Sequence, residues 1–316
     1  MIDRRGLDEL TRLAQYFEER KERAVARLAA DVAPAWHFAI LGLALDAAEF
    51  EFESVGRLRS VEEPPGEIEL AAATVQPNLF GAVGRYSRSV RYELSIPTGD
   101  EEQLPFTLAW WIISLIRVRT GAEILVPAVA DHSWSVIAGC PPKTCQVQLL
   151  EDVPDARPVA TAVPVSLADL EWVEANLVQF AQLLAQPDFR FAVECMSTHR
   201  LERDARMMAV MLWAGIEGIF GVREELRFRL AALIATALED PGPNRLAVYR
   251  RAKKLYDTRS TAVHGGQVES ESLFKHVLEV RQLLSRLLCQ FIDMRRVPSV
   301  GDLEQALFAG KEGGDL

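Results

Sequence analysis

The chain has 316 residues, of which 49% are apolar and 25% charged, and this composition excludes a wholly disordered protein. It is long enough for one large or two ordinary domains. The net charge of −10 at first argues against a nucleic-acid partner, yet residues 196–296 carry 17 Lys and Arg against 12 Asp and Glu, whereas residues 1–195 carry 17 against 29. The later segment therefore has the charge expected of a region that meets a polyanion, although an exposed basic helix face would also explain it.

The first half of the chain predicts a mixture of short strands and helices. Apolar residues recur at helical spacing over residues 7–30, and a compact apolar run predicts a second helix at 104–119. Alternating or short apolar stretches, separated by turns with Pro and Gly, predict strands at 68–75, 86–96, 124–127 and 146–150. We therefore expect an N-terminal α+β domain over residues 1–155, followed by a Pro-rich linker.

The second half is almost entirely helical in its patterning. Ser166 and Asp169 predict the start of a helix that ends before Pro187, with Asp standing where Glu or Gln is usual in a capping box. Further helices are predicted at about 201–220, 224–239, 245–264 and 270–294. Because the turns between them are short, we expect an all-α C-terminal helical bundle over residues 165–296, with 297–316 as a tail. The predicted fold class is thus α+β.

Cysteine spacing argues against a structural metal site. The four cysteines are scattered and include no pair of CxxC motifs; they are Cys140, Cys145, Cys195 and Cys289. We interpret them as free thiols of a cytosolic protein, and we predict no metal and no cofactor.

The histidines outside the main motif carry less information. His132 follows Asp131, but the sequence places no matching nucleophile or set of ligands near it. His37, His199 and His276 are isolated, and isolated histidines are usually structural. These four histidines therefore define no site by themselves.

The sequence predicts neither a leader peptide nor a membrane span. Its first residues run into a charged helix and lack the apolar core of a signal peptide. The most apolar stretch, Leu104–Ile116, is too short to span a bilayer and leads into Arg117 and Arg119. We therefore expect a cytoplasmic protein without a membrane partner.

The most informative motif is the segment Tyr256–Gly266, at the end of a strongly basic predicted helix. It contains Arg259, whose planar fork can hold a phosphate, and His264, whose side chain can give or take a proton near neutral pH. On an unbroken helix these residues lie about 7.5 Å apart along the axis and about 140° apart around it, so one phosphate does not easily reach both. A second copy of the helix across a two-fold axis would complete the site, which favours a homodimer.

Four basic residues precede Arg259 on the same predicted helix and form what we call the basic stripe. They are Arg250, Arg251, Lys253 and Lys254. The stripe can follow a phosphate backbone, or it can be a solvated helix face balanced by acids elsewhere. Tyr256 beside it either stacks on an RNA base or packs inside the bundle.

Glu217 lies among apolar residues of the predicted helix at 201–220. A carboxylate on such a face needs a cationic or hydrogen-bonding partner, because burying it alone is costly. It either orients Arg259 within the site or faces solvent at the helix edge, and the sequence shows no pairing that decides between these.

The segments Trp213–Phe220 and Leu255–Gly265, with the leucine-rich helix between them, resemble the Apea-like branch of the HEPN domain superfamily. The resemblance covers about residues 196–296. Members of this superfamily are helical bundles that commonly dimerise, and many are metal-independent RNA endonucleases that use an Arg, four to six intervening residues and a His. The resemblance implies that Arg259 binds phosphate and that His264 is catalytic. Thr261 stands two positions after the arginine, where a polar residue, often Asn, is found.

The resemblance implies an endoribonuclease that acts as a toxin or antiviral defence effector. RNA would be cut by attack of the 2′-hydroxyl on the adjacent phosphorus, which leaves a 2′,3′-cyclic phosphate. The expected partners are RNA, a second copy of the chain bound through the C-terminal bundle, and an unidentified regulator of the N-terminal domain. A non-catalytic HEPN module that binds RNA or nucleotides, and a scaffold that only dimerises, are the alternatives.

Overall fold

The computed structural model describes residues 4–30, 34–76, 80–151, 162–222, 226–263 and 270–308. It is a mixed α and β structure with a small antiparallel sheet and a helical carboxy-terminal part, which confirms the mixed class predicted from the sequence. The described residues fall into two compact units. The amino-terminal unit contains those within Met1–Trp110, Ile124–Val153 and Val159–Leu167, and the carboxy-terminal unit contains those within Trp111–Glu123 and Ala168–Leu316.

The amino-terminal unit combines short strands with one long helix at its start and shorter helices between the strands. Its strands are β1 (Ala35–Ile40), β2 (Leu43–Leu45), β3 (Glu49–Phe52), β4 (Gly56–Ser60), β5 (Tyr92–Pro97), β6 (Ala128–Ala130), β7 (Val147–Leu149) and β8 (Val163–Val165). Its helices are α1 (Arg4–Ala30), α2 (Glu67–Ala73) and α3 (Phe80–Ser87), together with the beginning of α4 (Leu104–Thr120).

Strand β1 lies inside a six-stranded sheet whose order is β3-β4-β5-β1-β6-β7. It is antiparallel to both β5 and β6, while β2 and β8 form a separate parallel pair. Because successive side chains of a strand point to opposite faces, Phe38 and Ala39 are buried on different sides of the sheet. Phe38 packs edge-on against Phe106, with 5.6 Å between ring centroids, and Ala39 belongs to an apolar cluster with Trp134 and Ile137.

Helix α2 occupies residues for which the sequence predicted a strand at 68–75, and this prediction is wrong. Leu70 and Ala73 are buried one helical turn apart, so the apolar residues that suggested alternation serve one face of a helix. The start of the helix is capped because Glu69 Oε2 accepts a hydrogen bond from the Gly66 backbone N–H at 2.6 Å.

The other three predicted strands lie close to observed strands, but only two of them overlap an observed strand. The stretch 146–150 contains β7, and 86–96 contains the end of α3 and most of β5. The stretch 124–127 precedes β6, and within it Leu125 forms only an isolated bridge with Leu41.

The carboxy-terminal unit is helical in its described part. Its helices are α5 (Leu167–Leu183), α6 (Pro187–Thr198), α7 (Ala205–Phe220), α8 (Leu226–Leu238), α9 (Pro243–Val263), α10 (Ser270–Asp293) and α11 (Val300–Phe308). Helix α7 packs against α6, α9 and α10 and buries Trp213 and Ile216 completely. Gly215 permits the close approach of α6, since a Cβ atom at this position would lie 3.0 Å from the Cβ of Cys195.

Helices α6 and α11 were not predicted from the sequence. Helix α6 begins at Pro187, although a proline after a helical pattern predicts a stop, because proline also fits the first helical turn, where the backbone N–H has no intrahelical partner. Helix α11 lies in the segment that we expected to be a tail, and it packs against α8, where Arg229 Nη2 lies 2.6 Å from Glu304 Oε1.

The end of α4 contributes polar contacts to the carboxy-terminal unit. The hydroxyl of Ser285 on α10 donates a hydrogen bond to the Val118 carbonyl at 2.6 Å, and Arg281 Nη1 lies 2.6 Å from Glu123 Oε1 just after α4. Among the described residues, the helices include none that combines the length and the apolar character needed to cross a membrane.

Candidate functional site

Helices α7 and α9 bring Glu217 and Arg259 together. Arg259 Nη2 lies 3.3 Å from Glu217 Oε1 and 3.5 Å from Oε2. The two side chains are 21% and 22% exposed, so the pair is largely withdrawn from water. The sequence leaves two positions open for Glu217, beside Arg259 or facing solvent. In the structure its carboxylate lies beside Arg259. The Glu217 carboxylate is therefore paired with a cation, and the Arg259 guanidinium is held by a residue of α7 although Arg259 itself is on α9.

The ring of Tyr256 adjoins this ion pair, and the ring of Trp213 packs against Tyr256. The rings of Trp213 and Tyr256 meet nearly at right angles, with 5.2 Å between centroids, and the guanidinium carbon of Arg259 lies 5.5 Å from the Tyr256 ring centroid. Tyr256 is only 8% exposed, and burial together with the hydrogen-bonded Glu217 carboxylate raises the pKa of its hydroxyl. The position of Tyr256 favours packing in the bundle over stacking on a base.

Arg259 keeps hydrogen-bonding capacity that the described residues do not use. Its Nε is buried and has no hydrogen-bond acceptor in the described part of the chain. A buried guanidinium donor without an acceptor is costly, and a phosphoryl oxygen would satisfy it with a charge-assisted hydrogen bond. Among the described residues, Arg259 Nε is therefore a donor that remains free for a further acceptor.

His264 lies outside the described residues, and so does the side chain of Thr261. Helix α9 is described as far as Val263, so the backbone at Thr261 belongs to its last turn. The roles predicted for His264 and Thr261 therefore stay predictions.

The basic stripe is on α9 as predicted, but its members differ in their surroundings. Arg250 and Lys254 are exposed. Arg251 forms an ion pair with Glu279 on α10, and the Lys253 ammonium lies 5.6 Å from the Tyr249 ring centroid. Arg250 and Lys254 are consequently the members best placed to meet a ligand.

Comparisons with known proteins do not identify the chain. No protein family, curated protein or solved structure matches it. The HEPN resemblance therefore rests on the sequence motif alone, and the roles of its residues remain proposals.

A second cluster lies in the amino-terminal unit, where the sequence indicates no ligand set near His132. The structure brings Asp131, His132 and Cys145 together, with their potential metal-ligating atoms within 4.8 Å of one another, so that expectation is wrong. The cluster depends on the pairing of β6 with β7, which places Asp131 beside Gln146. Spacing in the sequence could not show it, because its ligands lie 13 positions apart and match no known motif.

The chemistry of this cluster is set by burial and by Asp131. Asp131 Oδ1 lies 2.7 Å from His132 Nδ1 and accepts a hydrogen bond from the Gln146 backbone N–H at 2.8 Å. Burial, and then the Asp131 charge, raise the pKa of the nearby Cys140 thiol to about 11 and raise that of Cys145 as well. Both thiols are thus protonated at neutral pH unless a cation replaces the proton.

The loop that carries Asp131 and His132 is fixed by a buried carboxylate on β5. Glu93 accepts hydrogen bonds from the Ser133 hydroxyl at 2.9 Å and from the Trp134 backbone N–H at 2.7 Å. Burial by itself raises the pKa of Glu93, but His37 and Arg59 outweigh it and hold the pKa below its ordinary value. A charged carboxylate, that of Glu93, therefore holds the residues that directly follow Asp131 and His132.

Proposed function

We propose that the chain is a metal-independent RNA endonuclease of HEPN type that acts in the cytoplasm as a toxin or defence effector. The RNA 2′-hydroxyl loses its proton and attacks the adjacent phosphorus, and the bond to the 5′-oxygen breaks. The products are a 2′,3′-cyclic phosphate and a 5′-hydroxyl, which receives a proton. DNA resists cleavage because it lacks the 2′-hydroxyl.

His264 supplies the general base or the general acid in this proposal, and Arg259 neutralises the charge that builds up on the phosphoryl oxygens. Glu217 acts as a positioning residue, because it holds the guanidinium of Arg259 from α7. Thr261 contributes a polar group near the site, and Arg250 and Lys254 guide the RNA backbone along α9.

The observation that carries the proposal is the state of Arg259. Its guanidinium is largely buried, held on one side by Glu217 and supported from below by Tyr256, and its buried Nε has no acceptor among the described residues. Such a group is oriented before a ligand arrives and offers donors to an oxyanion, as stabilisation of a phosphoryl transition state requires. The positive charge of residues 196–296 supports an RNA ligand.

A non-catalytic RNA-binding module is the second candidate, and the ion pairs favour it in part. Glu217 already neutralises Arg259, and Glu279 neutralises Arg251 of the basic stripe. A guanidinium paired in this way binds a phosphate more weakly than an unpaired one, which is sufficient for positioning a strand but less favourable for catalysis.

Cleavage of labelled single-stranded RNA in the presence of EDTA tests the catalytic proposal. We expect the wild-type chain to produce fragments with 2′,3′-cyclic phosphate ends and His264→Ala to cut about 100-fold to 10,000-fold more slowly. Arg259→Lys should also be slow, because lysine keeps the charge but loses the planar fork. Arg227→Lys is the matched control: Arg227 is an exposed arginine of α8 whose Nε lies 2.5 Å from Asp257 Oδ1 on α9, and its variant should cut at the wild-type rate.

The absence of cutting by the wild-type chain, or equal rates for wild type and His264→Ala, would overturn the catalytic proposal. Binding distinguishes the second candidate. The double variant Arg250→Ala, Lys254→Ala should lower the slope of log affinity against log salt concentration by about 1.4 if both side chains contact phosphates of a single strand. If the wild-type chain binds RNA, the double variant shows this decrease in slope and neither protein cleaves, the result would favour the non-catalytic module.

A further inference from the structure

Three side chains of different chemistry converge at one edge of the amino-terminal sheet. Asp131 and His132 follow β6, and Cys145 precedes β7. Because β6 and β7 pair antiparallel, the end of β6 and the start of β7 lie side by side and supply all three residues. Their carboxylate oxygen, imidazole nitrogen and sulfur atoms all lie within 4.8 Å of one another. This spacing is near the separation of ligands around one bound metal ion and needs only small side-chain shifts to reach it.

Main-chain hydrogen bonds fix both loops before any ligand binds. The Cys145 N–H donates to the Ala73 carbonyl at 2.9 Å, and the Cys145 carbonyl accepts from the Val75 N–H at 3.0 Å. The Asp131 N–H donates to the Gln146 carbonyl at 3.1 Å, which ties the two loops to each other. The residues are thus held by the ends of α2 and β6 rather than by flexible segments.

The loop with His132 has a further support beneath it. Ser133 and Trp134, the next two residues, are both hydrogen bonded to the buried Glu93. A metal site needs such support, because ligands that are positioned in advance lose less conformational entropy on binding.

We propose that Asp131, His132 and Cys145 bind one divalent transition-metal ion of the zinc class. One sulfur, one imidazole nitrogen and one carboxylate oxygen form a mixed donor set that suits Zn²⁺ and is too soft for Mg²⁺ or Ca²⁺. Cys145 is fully buried, whereas the side chains of Asp131 and His132 are 28% and 30% exposed. The site is therefore closed on the sulfur side and open to solvent on the other, where a water molecule can complete a four-coordinate shell.

This proposal departs from the absence of a metal predicted from the sequence, and it does not depend on the RNA-cutting proposal. The cluster belongs to the amino-terminal unit, and the nuclease chemistry uses no metal. Cleavage in EDTA and metal binding can therefore fail separately.

Cobalt(II) titration of the full chain, purified and stripped with a chelator, tests the site. We expect one equivalent to give a thiolate-to-cobalt charge-transfer band and the visible absorption of four-coordinate cobalt, and zinc to displace it. Metal analysis after dialysis in zinc should find about one zinc per chain. Cys145→Ser should abolish the charge-transfer band, and His132→Ala should weaken binding by more than about tenfold.

Cys289→Ser is the matched control, because Cys289 is a partly buried thiol in the carboxy-terminal unit. It should keep the wild-type spectrum and affinity. His132→Ala changes a partly exposed side chain, and its circular dichroism should match that of the wild type, so loss of metal there does not reflect unfolding. A wild-type chain without the charge-transfer band, or equal zinc binding by the wild type and His132→Ala, would overturn the assignment.

Discussion

The imidazole of His276 on α10 is held in its neutral form by its neighbours. Trp213 Nε1 can only donate, and it lies 3.3 Å from His276 Nε2, so this nitrogen accepts and carries no proton. Protonating Nε2 would break that hydrogen bond. His276 is only 3% exposed, and burial lowers its pKa to about 4; the Glu279 charge opposes this decrease, and Arg251 makes a smaller contribution that lowers the pKa.

This lowered pKa makes the stability of the chain depend on pH. An unfolded histidine binds its proton near pH 6.5, whereas folded His276 does so only near pH 4, so the unfolded state binds more protons between these values. The stabilising contribution is therefore fully present above about pH 6.5 and is lost as the pH falls towards 4. One group can contribute a slope of at most about 1.4 kcal/mol per pH unit.

Denaturant unfolding of wild type and His276→Gln at pH 7.5, 6 and 5 measures this contribution. Other titrating groups cancel in the difference between the two proteins. We expect the wild type to lose more unfolding free energy than the variant between pH 7.5 and 5. Equal losses would show that the imidazole is already protonated in the folded chain or remains accessible to water.

The sequence indicates that a residue requires a partner more readily than it indicates which residue that partner is. That Glu217 requires a cation follows from its apolar neighbours, but the choice of Arg259 depends on how α7 packs against α9. The cluster of Asp131, His132 and Cys145 was missed for the same reason, because strand pairing rather than sequence spacing brings its members together.

At the scale of elements, length decided which predictions succeeded. Helices α7 and α10 span several turns, so their apolar periodicity is repeated often enough to be recognised. Helix α2 has 7 residues, and two turns of a helix can be mistaken for an alternating strand. Helix α6 is not predicted because a proline such as Pro187 is compatible both with the end of one helix and with the start of the next.

Helix α1 lies so close to the short 3₁₀ helix Ile137–Gly139 that only glycine fits between them. A Cβ atom at Gly139 would lie 2.7 Å from the backbone nitrogen of Val25 and 2.8 Å from the backbone carbon of Ala24. Both atoms are main chain, so a larger residue must displace a helix and not merely a side chain. We expect Gly139→Ala to lower the free energy of unfolding by about 1–3 kcal/mol.

The same substitution at Gly81 in α3 is the control, because a Cβ there meets none of the described atoms within 4 Å. Gly81→Ala should be neutral or slightly stabilising, since alanine favours a helix over glycine. Denaturant unfolding of both variants tests the contact, and limited proteolysis within α1 reports whether the helix is released. Equal stability of the two variants would contradict the close approach.

At the scale of the whole molecule, successive segments of the chain belong alternately to the amino-terminal and the carboxy-terminal unit. The sequence suggests one boundary at a Pro-rich segment, whereas Trp111–Glu123, which precede that segment, belong to the carboxy-terminal unit. No change of composition marks the start of this segment, because the apolar run Leu104–Ile116 continues across the division. Its assignment depends on long-range contacts such as Ser285 with Val118 and Arg281 with Glu123.

A fragment that starts at the predicted boundary therefore lacks part of the helical unit. Residues 165–316 retain Ser285 and Arg281 but lose the Val118 carbonyl and the Glu123 carboxylate. Arg281 is 10% exposed in the full chain, and losing the opposite charge of Glu123 from 2.6 Å away is costly for a cation so largely buried. We expect the fragment to unfold at a lower denaturant concentration than the same unit in the full chain.

Ser285→Ala, made in both contexts, shows whether the missing contact is the cause. In the full chain the variant should lower the free energy of unfolding by about 1 kcal/mol, because it removes the 2.6 Å hydrogen bond to the Val118 carbonyl and leaves this acceptor the weaker, 3.5 Å contact with Cys289 Sγ. In the fragment the acceptor is already absent, so the same substitution should cost much less. An equal cost in both, or a fragment as stable as the full chain, would mean that the helices from α5 onward form a complete unit without Trp111–Glu123.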